Sequence, residues 1–562
     1  MARLPARVPD GGKISHESER ASRRGVQLSC LGLGKADCLR AAVSWTGARQ
    51  IMGLAVEPQL PLGPSTLPLH PSFADQDSPS LRWRRHGVRQ ACSKADADAD
   101  GRGQQPPVLK ATSTALPTVC SLVVYVLRVS QQLHPRTNSN GKHGAPRSAH
   151  GAGFAFAVGT GEYTTGFVGG GASTSDKKVG VVGLTLFDLR RRGKVGNLSM
   201  VGVSGDKFPA IRQHLDKNIS QAYNGLDVSF QEFPKEGKRD PDAYKEAIDA
   251  LPKGSAITIF TPDTTHYPIA LYAIERGHHV LVTKPAVKLL EHHQKLYEAA
   301  KKHNVFVYVE HHKRFDPAYA DARFRATKLG DFNYFYSYMS QPKSQLETFK
   351  AWAGKDSDIS YYLNSHHIDI NESMVPGFKP VRVMGSAAKG IATDLGCDPA
   401  TEDTITLLVD WVKKDDPSKR ATGVYTAGWA APQKAGVHSN QYFHYMASKG
   451  EIRVNQAKRG YDVTDDDTGL LWYNPFYMKY APDEEGNFAG QIGYGYISFE
   501  KFVDAVNQLN EGKVTLDQLD SRPLPTLKNT IATTAILEAG RRSLDENRPI
   551  EIVEENGTWS LK

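Results

Sequence analysis

Cysteine is scarce in this chain of 562 residues, and apolar runs of membrane-spanning length are absent. Five cysteines occur, four of them before residue 121, and no two form a CxxC pair. This excludes a disulfide framework and a cysteine zinc site, and it predicts a reducing compartment, the cytoplasm. The best apolar candidate, residues 119–129, is interrupted by Cys120, Ser121 and Arg128 and is too short to span a bilayer. We therefore expect no membrane partner and no metal.

An excess of positive charge is also absent once the first 150 residues are set aside. That segment holds 20 Lys and Arg against 10 Asp and Glu, a balance of +10, whereas the whole chain has a net charge of +8. Residues 151–562 therefore carry about −2. The basic balance belongs to the N-terminal segment, and no nucleic-acid partner is expected for the rest.

Residues 1–150 lack the periodicity that builds a core. Clusters of Pro, Gly, Ser and Arg interrupt every apolar run, which predicts a largely disordered extension. A transit peptide fits the Arg- and Ser-rich start, although Asp10, Glu17 and Glu19 count against it. A translated non-coding stretch is the other interpretation, and the sequence leaves both open.

The stretch around which the chain is organised runs from Ile257 to Pro285 and predicts a βαβ unit. A β-branched run at 257–260 is followed by a turn, a helix-period segment at 267–276, a stop at Gly277 and a second β-rich run at 279–282. Polar residues follow each strand: Thr261 and Asp263 the first, Thr283 and Lys284 the second. Ligands bind beyond the carboxyl ends of parallel strands, so Lys284 is a candidate functional residue. Pro285 favours an extended backbone at Lys284.

A glycine-rich turn lies about a hundred residues earlier, after the apolar run 154–158. Its glycines have the spacing G-x-G-x-x-x-x-G and are Gly159, Gly161 and Gly166. Glycine lets the backbone approach a pyrophosphate, and a helix predicted at 177–192 and a strand at 198–205 follow. A rival interpretation makes residues 179–184 the first strand. We prefer the first, because its glycines follow an apolar run and the rival leaves a helix of barely two turns.

The end of the second strand indicates which dinucleotide is bound. An acid there would bind the adenosine ribose and repel a 2′-phosphate, but Ser204 and Gly205 occupy these positions, followed by Asp206 and Lys207. We expect NADP or NAD, with a site that tolerates NADP. Ser204 could instead cap the following helix.

Residues 261–285 followed by VFVYVEHHKRFDPAY (305–319) resemble the glucose–fructose oxidoreductase, inositol dehydrogenase and MocA family over about residues 154–550. That family shows a TP…H strand end, a Glu-Lys-Pro and an R-F-x-P. The resemblance implies a Rossmann domain (151–318) and a C-terminal α/β domain (319–562) with a large, mostly antiparallel sheet through which the chain oligomerises. It also implies a nicotinamide cofactor and cofactor contacts at the strand end, namely Thr261, Pro262 and His266. The family's lysine matches Lys284, but its glutamate is Thr283 here.

The family's second motif, D-x-G-x-H-x-x-D, is matched by YLNSHHID at 362–369. The resemblance assigns the active imidazole to His366 and the last aspartate to Asp369, whereas Tyr362 and Asn364 replace the aspartate and the glycine. Either the Tyr362 hydroxyl replaces the carboxylate or the proton follows another route. His367 is the alternative imidazole. The spacing of His366 and Asp369 places both on one face of a helix.

The candidate substrate residues are Arg314, Asp369, Trp429 and His438. Arg314 could bind a uronate carboxylate through its guanidinium, or it could brace the domain interface. Trp429, His438 and Gln441 could line an aromatic, polar sugar pocket, although most aromatic residues of this stretch would pack within the sheet.

The sequence therefore predicts an NAD(P)-dependent oxidoreductase acting on a CH-OH group of a carbohydrate. VGTGEYTTGFVGGG and FDLRRRG are similar to a fungal-type branch associated with D-galacturonate reductase, which implies reduction of D-galacturonate to L-galactonate. Lys284 and His366 would handle the proton, with Tyr362 in reach. Two alternatives stay open: a dinucleotide-binding transcriptional co-repressor and a cyclic-polyol dehydrogenase.

Overall fold

The structure is a computed structural model, and it describes residues 155–168, 170–173, 177–467 and 469–562. The predictions for residues 1–150 lie outside this part of the chain. Two large sheets organise the described residues, one parallel and one mixed. The predicted combination of a Rossmann domain with a second α/β domain is confirmed.

The first sheet has six short parallel strands, which are largely buried except for the edge strand at 231–233. They are β1 (Ala155–Val158), β4 (Leu198–Val201), β5 (Gln231–Phe233), β6 (Ala256–Ile259), β7 (His279–Thr283) and β8 (Val307–Glu310). The order across the sheet is β5-β4-β1-β6-β7-β8, the doubly wound order of a dinucleotide fold. Six helices connect them: α1 (Glu162–Thr165), α2 (Val182–Arg191), α3 (Phe208–Leu215), α4 (Ala243–Asp249), α5 (His266–Glu275) and α6 (Leu290–His303).

The first crossover helix is interrupted by a small hairpin, β2 (Phe167–Val168) and β3 (Gly171–Ala172). The backbone N–H of Val181, just before α2, donates to the carbonyl of Tyr163 in α1 at 2.9 Å, so the two helical segments meet across the insertion. The glycine-rich turn follows β1, as we preferred. The rival interpretation is wrong, because α2 begins at Val182 within its proposed strand.

The second sheet has eight strands and is antiparallel except where β9 and β12 run parallel. Its strands are β9 (Phe332–Pro342), β10 (Phe378–Ala388), β11 (Thr404–Lys413), β12 (Arg420–Ala431), β13 (Asn440–Ala447), β14 (Gly450–Asn455), β17 (Ile550–Glu555) and β18 (Thr558–Leu561). The order is β14-β13-β9-β12-β11-β10-β17-β18. A separate hairpin consists of β15 (Asp462–Asp465) and β16 (Gly469–Trp472).

Seven further helices are described along the rest of the chain, and the last of them packs against β10 and β17 of this sheet. They are α7 (Pro317–Ala326), α8 (Ser344–Phe349), α9 (Ser365–Met374), α10 (Ile391–Asp394), α11 (Tyr494–Asn510), α12 (Leu516–Asp520) and α13 (Ile531–Glu546). None of the helices in the described ranges is long and apolar enough to cross a membrane.

Helix α11 follows the second domain in sequence but packs on the first. Its Phe502 stacks with Phe306 at 6.1 Å, and its Tyr496 hydroxyl donates to the buried Asp188 carboxylate of α2 at 2.6 Å. Asp504 pairs with Lys194 at 2.7 Å. The single boundary predicted at residue 318 therefore does not hold for this helix, which returns to the Rossmann domain.

Candidate active site at the carboxyl edge of the parallel sheet

The glycine-rich turn leaves room for a dinucleotide at the end of β1. Gly159 has φ +113°, and a Cβ there would lie 2.1 Å from the carbonyl oxygen of Phe260, so only glycine fits. A Cβ on Gly161, which precedes α1, would meet no atom within 4 Å, so the space above the turn is open. A turn whose glycines lack side chains, with open space above it, lets a pyrophosphate approach the backbone N–H groups. Gly166 instead ends α1 at φ +74° against the carbonyl of Lys178, so its predicted contact with the cofactor is wrong.

The end of β4 has no space for an acidic side chain at Gly205. A Cβ there would lie 2.0 Å from the carbonyl oxygen of Lys235. Asp206 follows, and its carboxylate accepts from the backbone N–H of Gly237 at 2.9 Å and from the Ser204 hydroxyl at 3.2 Å. Ser204 makes no side-chain capping bond to the short helix after it, so the capping alternative does not hold.

The turn after β6 is braced by a buried histidine. The two ring nitrogens of His266 lie 2.9 Å from the Thr261 carbonyl and 3.0 Å from the Pro285 carbonyl, so the ring joins the turns after β6 and β7. His266 is fully buried, which contradicts its predicted contact with the cofactor. Thr261 and the exposed Pro262 remain at the surface of the turn and stay predictions.

Lys284 follows β7 and extends its ammonium toward the second domain. It donates a short hydrogen bond to the backbone carbonyl of Tyr362 and lies 4.3 Å from the centre of the Tyr362 ring. Desolvation lowers the pKa of Lys284 to about 8, although Asp263 and Glu310 counteract that effect. Lys284 contacts the carbonyl and the ring face of Tyr362, and these contacts do not support the predicted role of the hydroxyl.

The adjacent histidines of α9 face different surroundings. His366 lies among positive groups, and burial together with Lys284, Lys313 and two histidines lowers its pKa well below the usual range. Its Nδ1 is buried without a hydrogen-bond partner among the described residues. His367 has no exposed surface, and its Nε2 lies 2.9 Å from the Tyr319 hydroxyl in the core of the second domain. The geometry therefore favours His366 over His367.

Arg314 and Asp369 form a buried ion pair rather than a substrate site. The Arg314 guanidinium donates to the Asp369 carboxylate at 2.6 to 3.1 Å and to the carbonyl of Asn529 at 2.9 Å. Both side chains are at most 2% exposed. The guanidinium is engaged, so the predicted uronate contact of Arg314 is wrong and its alternative role as a brace is supported.

The residue that ends β8 and those that directly follow it were missed by the sequence analysis. Glu310 is buried and pairs with His312, whose Nδ1 lies 2.9 Å from one carboxylate oxygen. Lys313 is buried, with a short hydrogen bond to Gln441 and one of 3.1 Å to Gln456. Burial lowers the pKa of Lys313 to about 7. The signal was present, because an EHHK run follows a β-branched strand just as Thr283 and Lys284 do.

Aromatic residues close the site from the second half of the chain. The His312 ring lies 5.3 Å from the Tyr477 ring and 5.7 Å from the Tyr494 ring. Tyr477 also forms a short hydrogen bond with Tyr163 of the glycine-rich turn. These contacts join residues more than 150 positions apart, and no local sequence pattern announces them.

The predicted sugar-stacking role of Trp429 is wrong. Trp429 is fully buried in β12, and its indole N–H donates to the Glu402 carbonyl at 2.7 Å. His438 lies at the edge of the site, with its Nε2 3.3 Å from the ammonium of Lys177. Lys177 is one of the groups that lower the pKa of Lys284, so His438 stays a candidate.

Known proteins resemble this chain mainly in the parallel-sheet domain. A family model described as an oxidoreductase family with an NAD-binding Rossmann fold matches residues 177–311. The uncharacterized oxidoreductase YdgJ of Escherichia coli is 31% identical over 121 residues, which is 21% of this chain and 35% of that protein. The scyllo-inositol 2-dehydrogenase (NAD(+)) of Bacillus subtilis is 29% identical over 175 residues, 29% of this chain and 48% of that protein. The chain thus spans less than half the length of these relatives.

Solved structures align over more of the chain at low identity. The myo-inositol 2-dehydrogenase of Lactobacillus plantarum is 18% identical with a TM-score of 0.49, covering 72% of this chain and all of that chain. The glycine-rich turn after β1, the turns after β6 and β7, and Lys284 all lie at the positions that the sequence resemblance implied. Over residues 177–311, the parallel-sheet domain thus matches an oxidoreductase family with an NAD-binding Rossmann fold, in agreement with the resemblance seen in the sequence.

Proposed function

We propose that this protein is an NAD(P)-dependent oxidoreductase that reduces the carbonyl group of a sugar acid, with D-galacturonate to L-galactonate as the reaction. The observation that carries the proposal is the approach of Lys284 in the first domain to the segment of the second domain that holds His366: its ammonium donates to the carbonyl of Tyr362, and its charge lowers the pKa of His366. Perturbed, buried titratable groups at such an edge are typical of an active site. A bound nicotinamide supplies the hydride for the reduction.

Lys284 and His366 then divide the handling of protons. With a pKa of about 8, Lys284 is mostly an ammonium at neutral pH and is acidic enough to protonate the substrate oxygen. His366 remains neutral, because its pKa lies well below the usual range. A neutral imidazole accepts a hydrogen bond at one nitrogen and donates one at the other, which suits orientation of sugar hydroxyls.

The surplus of positive charge favours an acidic sugar over a neutral one. Lys313 is held by amide oxygens of Gln441 and Gln456, which carry no net charge. Burial lowers its pKa and the charges of Arg459 and Lys284 lower it further, although Asp316 and Glu310 counteract them. A substrate carboxylate beside Lys313 would relieve this repulsion. Lys313 therefore takes the role that the sequence assigned to Arg314.

The test is a substrate panel with the full-length protein. Oxidation of NADPH and NADH is followed with D-galacturonate, D-galactose and myo-inositol, where galactose differs from the uronate by lacking the carboxylate. We expect kcat/KM to be highest for the uronate and Lys313→Met to raise KM for the uronate at least tenfold but not for galactose. Preference for the polyol would support the alternative dehydrogenase. Tight dinucleotide binding without any turnover would support the co-repressor.

The adenosine end of the site suits NADP. An acid cannot be placed at Gly205, and the backbone of the exposed Arg239 pairs with Ser204 next to the exposed Lys207. Two cations there would bind a 2′-phosphate. Fluorescence titration should show that Lys207→Ala with Arg239→Ala weakens NADPH binding about tenfold and leaves NADH binding unchanged. Lys301→Ala, an exposed lysine at the end of α6, is the control, and equal weakening of both dinucleotides would contradict this preference.

The open face of the second sheet is proposed as the oligomer interface. Five residues that lie directly side by side on neighbouring strands form a row across this face, namely Met384, Leu408, Val424, Tyr336 and His444. Met384 and Leu408 are 53% and 43% exposed, an apolar surface of the kind that partners cover. Light scattering should show an oligomer that Leu408→Glu dissociates.

The buried, unpaired Cys397 is consistent with our proposal of a cytoplasmic location.

A further inference from the structure

Glu310 places a second carboxylate at the edge of the sheet where Lys284 emerges. In the parallel pairing of β7 and β8, Glu310 lies directly across from Thr283, the residue before Lys284. Its side chain is 2% exposed. A carboxylate that is removed from water at this position requires partners with positive charge or hydrogen-bond donors.

One partner of Glu310 is the imidazole of His312. The Nδ1 of His312 lies 3.1 and 2.9 Å from the two carboxylate oxygens, so both oxygens face the same ring nitrogen. The His312 ring is 5.2 Å from the ring of His366. His312 and His366 keep 8% and 6% of their surfaces exposed, whereas His311 and His367 keep 2% and 0%. Glu310 thus holds His312, the ring that contacts His366.

Glu310 also acts on Lys284, because its charge raises the pKa of the ammonium, although less strongly than Asp263 does. The titratable groups that act on Lys284, or on which it acts, are Asp263, Glu310, Lys177, Lys313, His311 and His366. Asp263 and Glu310 are the carboxylates of this set. Asp263 is already engaged by the Ser357 hydroxyl at 2.5 Å, and burial raises the pKa of Asp263. Glu310 therefore supplies negative charge that offsets the surrounding lysines.

We propose that Glu310 is a positioning residue, which fixes the ring of His312 and maintains the positive charge of Lys284 at the point where the substrate oxygen is protonated. The inference rests on the proposed function, because it takes Lys284 as the proton donor. In that step an N–H bond of Lys284 breaks, an O–H bond forms on the substrate, and Lys284 is left as a neutral amine. Lys284 regains its proton from solvent, and the charge of Glu310 favours that return.

The decisive variant is Glu310→Gln, which keeps the shape and an acceptor for His312 but removes the charge. The reduction rate of the wild type should be level below pH 8 and fall as the pH rises through the pKa of Lys284. In the variant this fall should move about one pH unit lower, as expected for loss of a nearby opposite charge. Adding Thr283→Glu returns a carboxylate across the same pair of strands, and it should restore the wild-type profile.

A second readout does not depend on turnover. The pH dependence of Lys284 acylation by acetic anhydride, followed by mass spectrometry on the full-length protein, should show the same downward shift in Glu310→Gln. Glu372→Gln is the matched control, because Glu372 is a buried carboxylate that accepts hydrogen bonds from Thr533 at the start of α13. That control should lower stability and leave the Lys284 profile unchanged.

The outcomes separate this inference from the proposed function. If no carbohydrate is turned over, the proposed function fails, yet the acylation profile still tests the influence of Glu310 on Lys284. An unshifted acylation midpoint in Glu310→Gln overturns the inference. So does a lower rate with an unshifted pH profile, since that pattern belongs to a residue that only supports the fold.

Discussion

Two buried polar clusters lie side by side at the domain junction, and they are built differently. In the first, Arg314 and Asp369 satisfy each other through a bidentate ion pair. In the second, around Lys284 and Lys313, positive groups outnumber the carboxylates and the pKa values of both lysines are lowered. Complete pairing is the mark of a structural brace, whereas incomplete pairing leaves groups poised for a ligand. Substitutions should therefore affect stability in the first cluster and turnover in the second.

Replacing Lys284 should have the largest effect of all. Lys284→Met keeps much of the side-chain volume but removes the proton donor, so we expect kcat to fall by about 10²–10⁴. The free energy of unfolding should stay the same or rise, because a partly desolvated charge is removed. Turnover measurements and urea unfolding test both parts. Dinucleotide binding serves as the control for folding, and retained turnover would remove Lys284 from the mechanism.

Replacing Arg314 should show the opposite pattern. Arg314→Met leaves the carboxylate of Asp369 buried beside His311 without its bidentate partner, which should destabilise the protein by about 3–5 kcal/mol. Urea unfolding measures this loss. The double variant Arg314→Met with Asp369→Leu removes both charges and should recover much of it. If Arg314→Met instead raised KM for the uronate at unchanged stability, the sequence-based substrate role would be right after all.

The two clusters also differ in how far they could be predicted from sequence. Lys284 could be identified because strand ends are local patterns, and the same rule applied to β8 would have found Glu310 and Lys313. The choice between Lys313 and Arg314 could not be made, because they are consecutive residues of one short 3-10 helix whose side chains enter different clusters. The doubly wound sheet could be inferred from alternating strand and helix patterns. The packing of α11 on the first domain could not be inferred from the sequence, since its partners lie about 190 to 310 positions away along the chain.

The adjacent histidines of α9 allow a second comparison of turnover with stability, in which the expected effects are smaller. His366→Ala should lower kcat by about tenfold to a hundredfold with little change in stability, because its ring lies beside His312 in the site and keeps 6% of its surface exposed. His367→Ala removes the hydrogen bond with Tyr319 and leaves a cavity, so it should cost about 2–3 kcal/mol of stability. Turnover and urea unfolding of both variants test the difference. Loss of turnover in a stable His367→Ala would make His367 the active imidazole.

Removing only the hydroxyl of Tyr362 should have the smallest effect on turnover. Lys284 contacts the carbonyl and ring face of Tyr362, and both persist in Tyr362→Phe, so kcat should stay within about threefold of the wild type. Tyr362→Leu removes the ring and should cost more, about 0.5–2 kcal/mol of interaction with the ammonium. A steady-state comparison of the two variants separates hydroxyl from ring. If Tyr362→Phe were as impaired as Lys284→Met, the hydroxyl would replace the missing family carboxylate, and the positioning role of Glu310 would have to be shared with it.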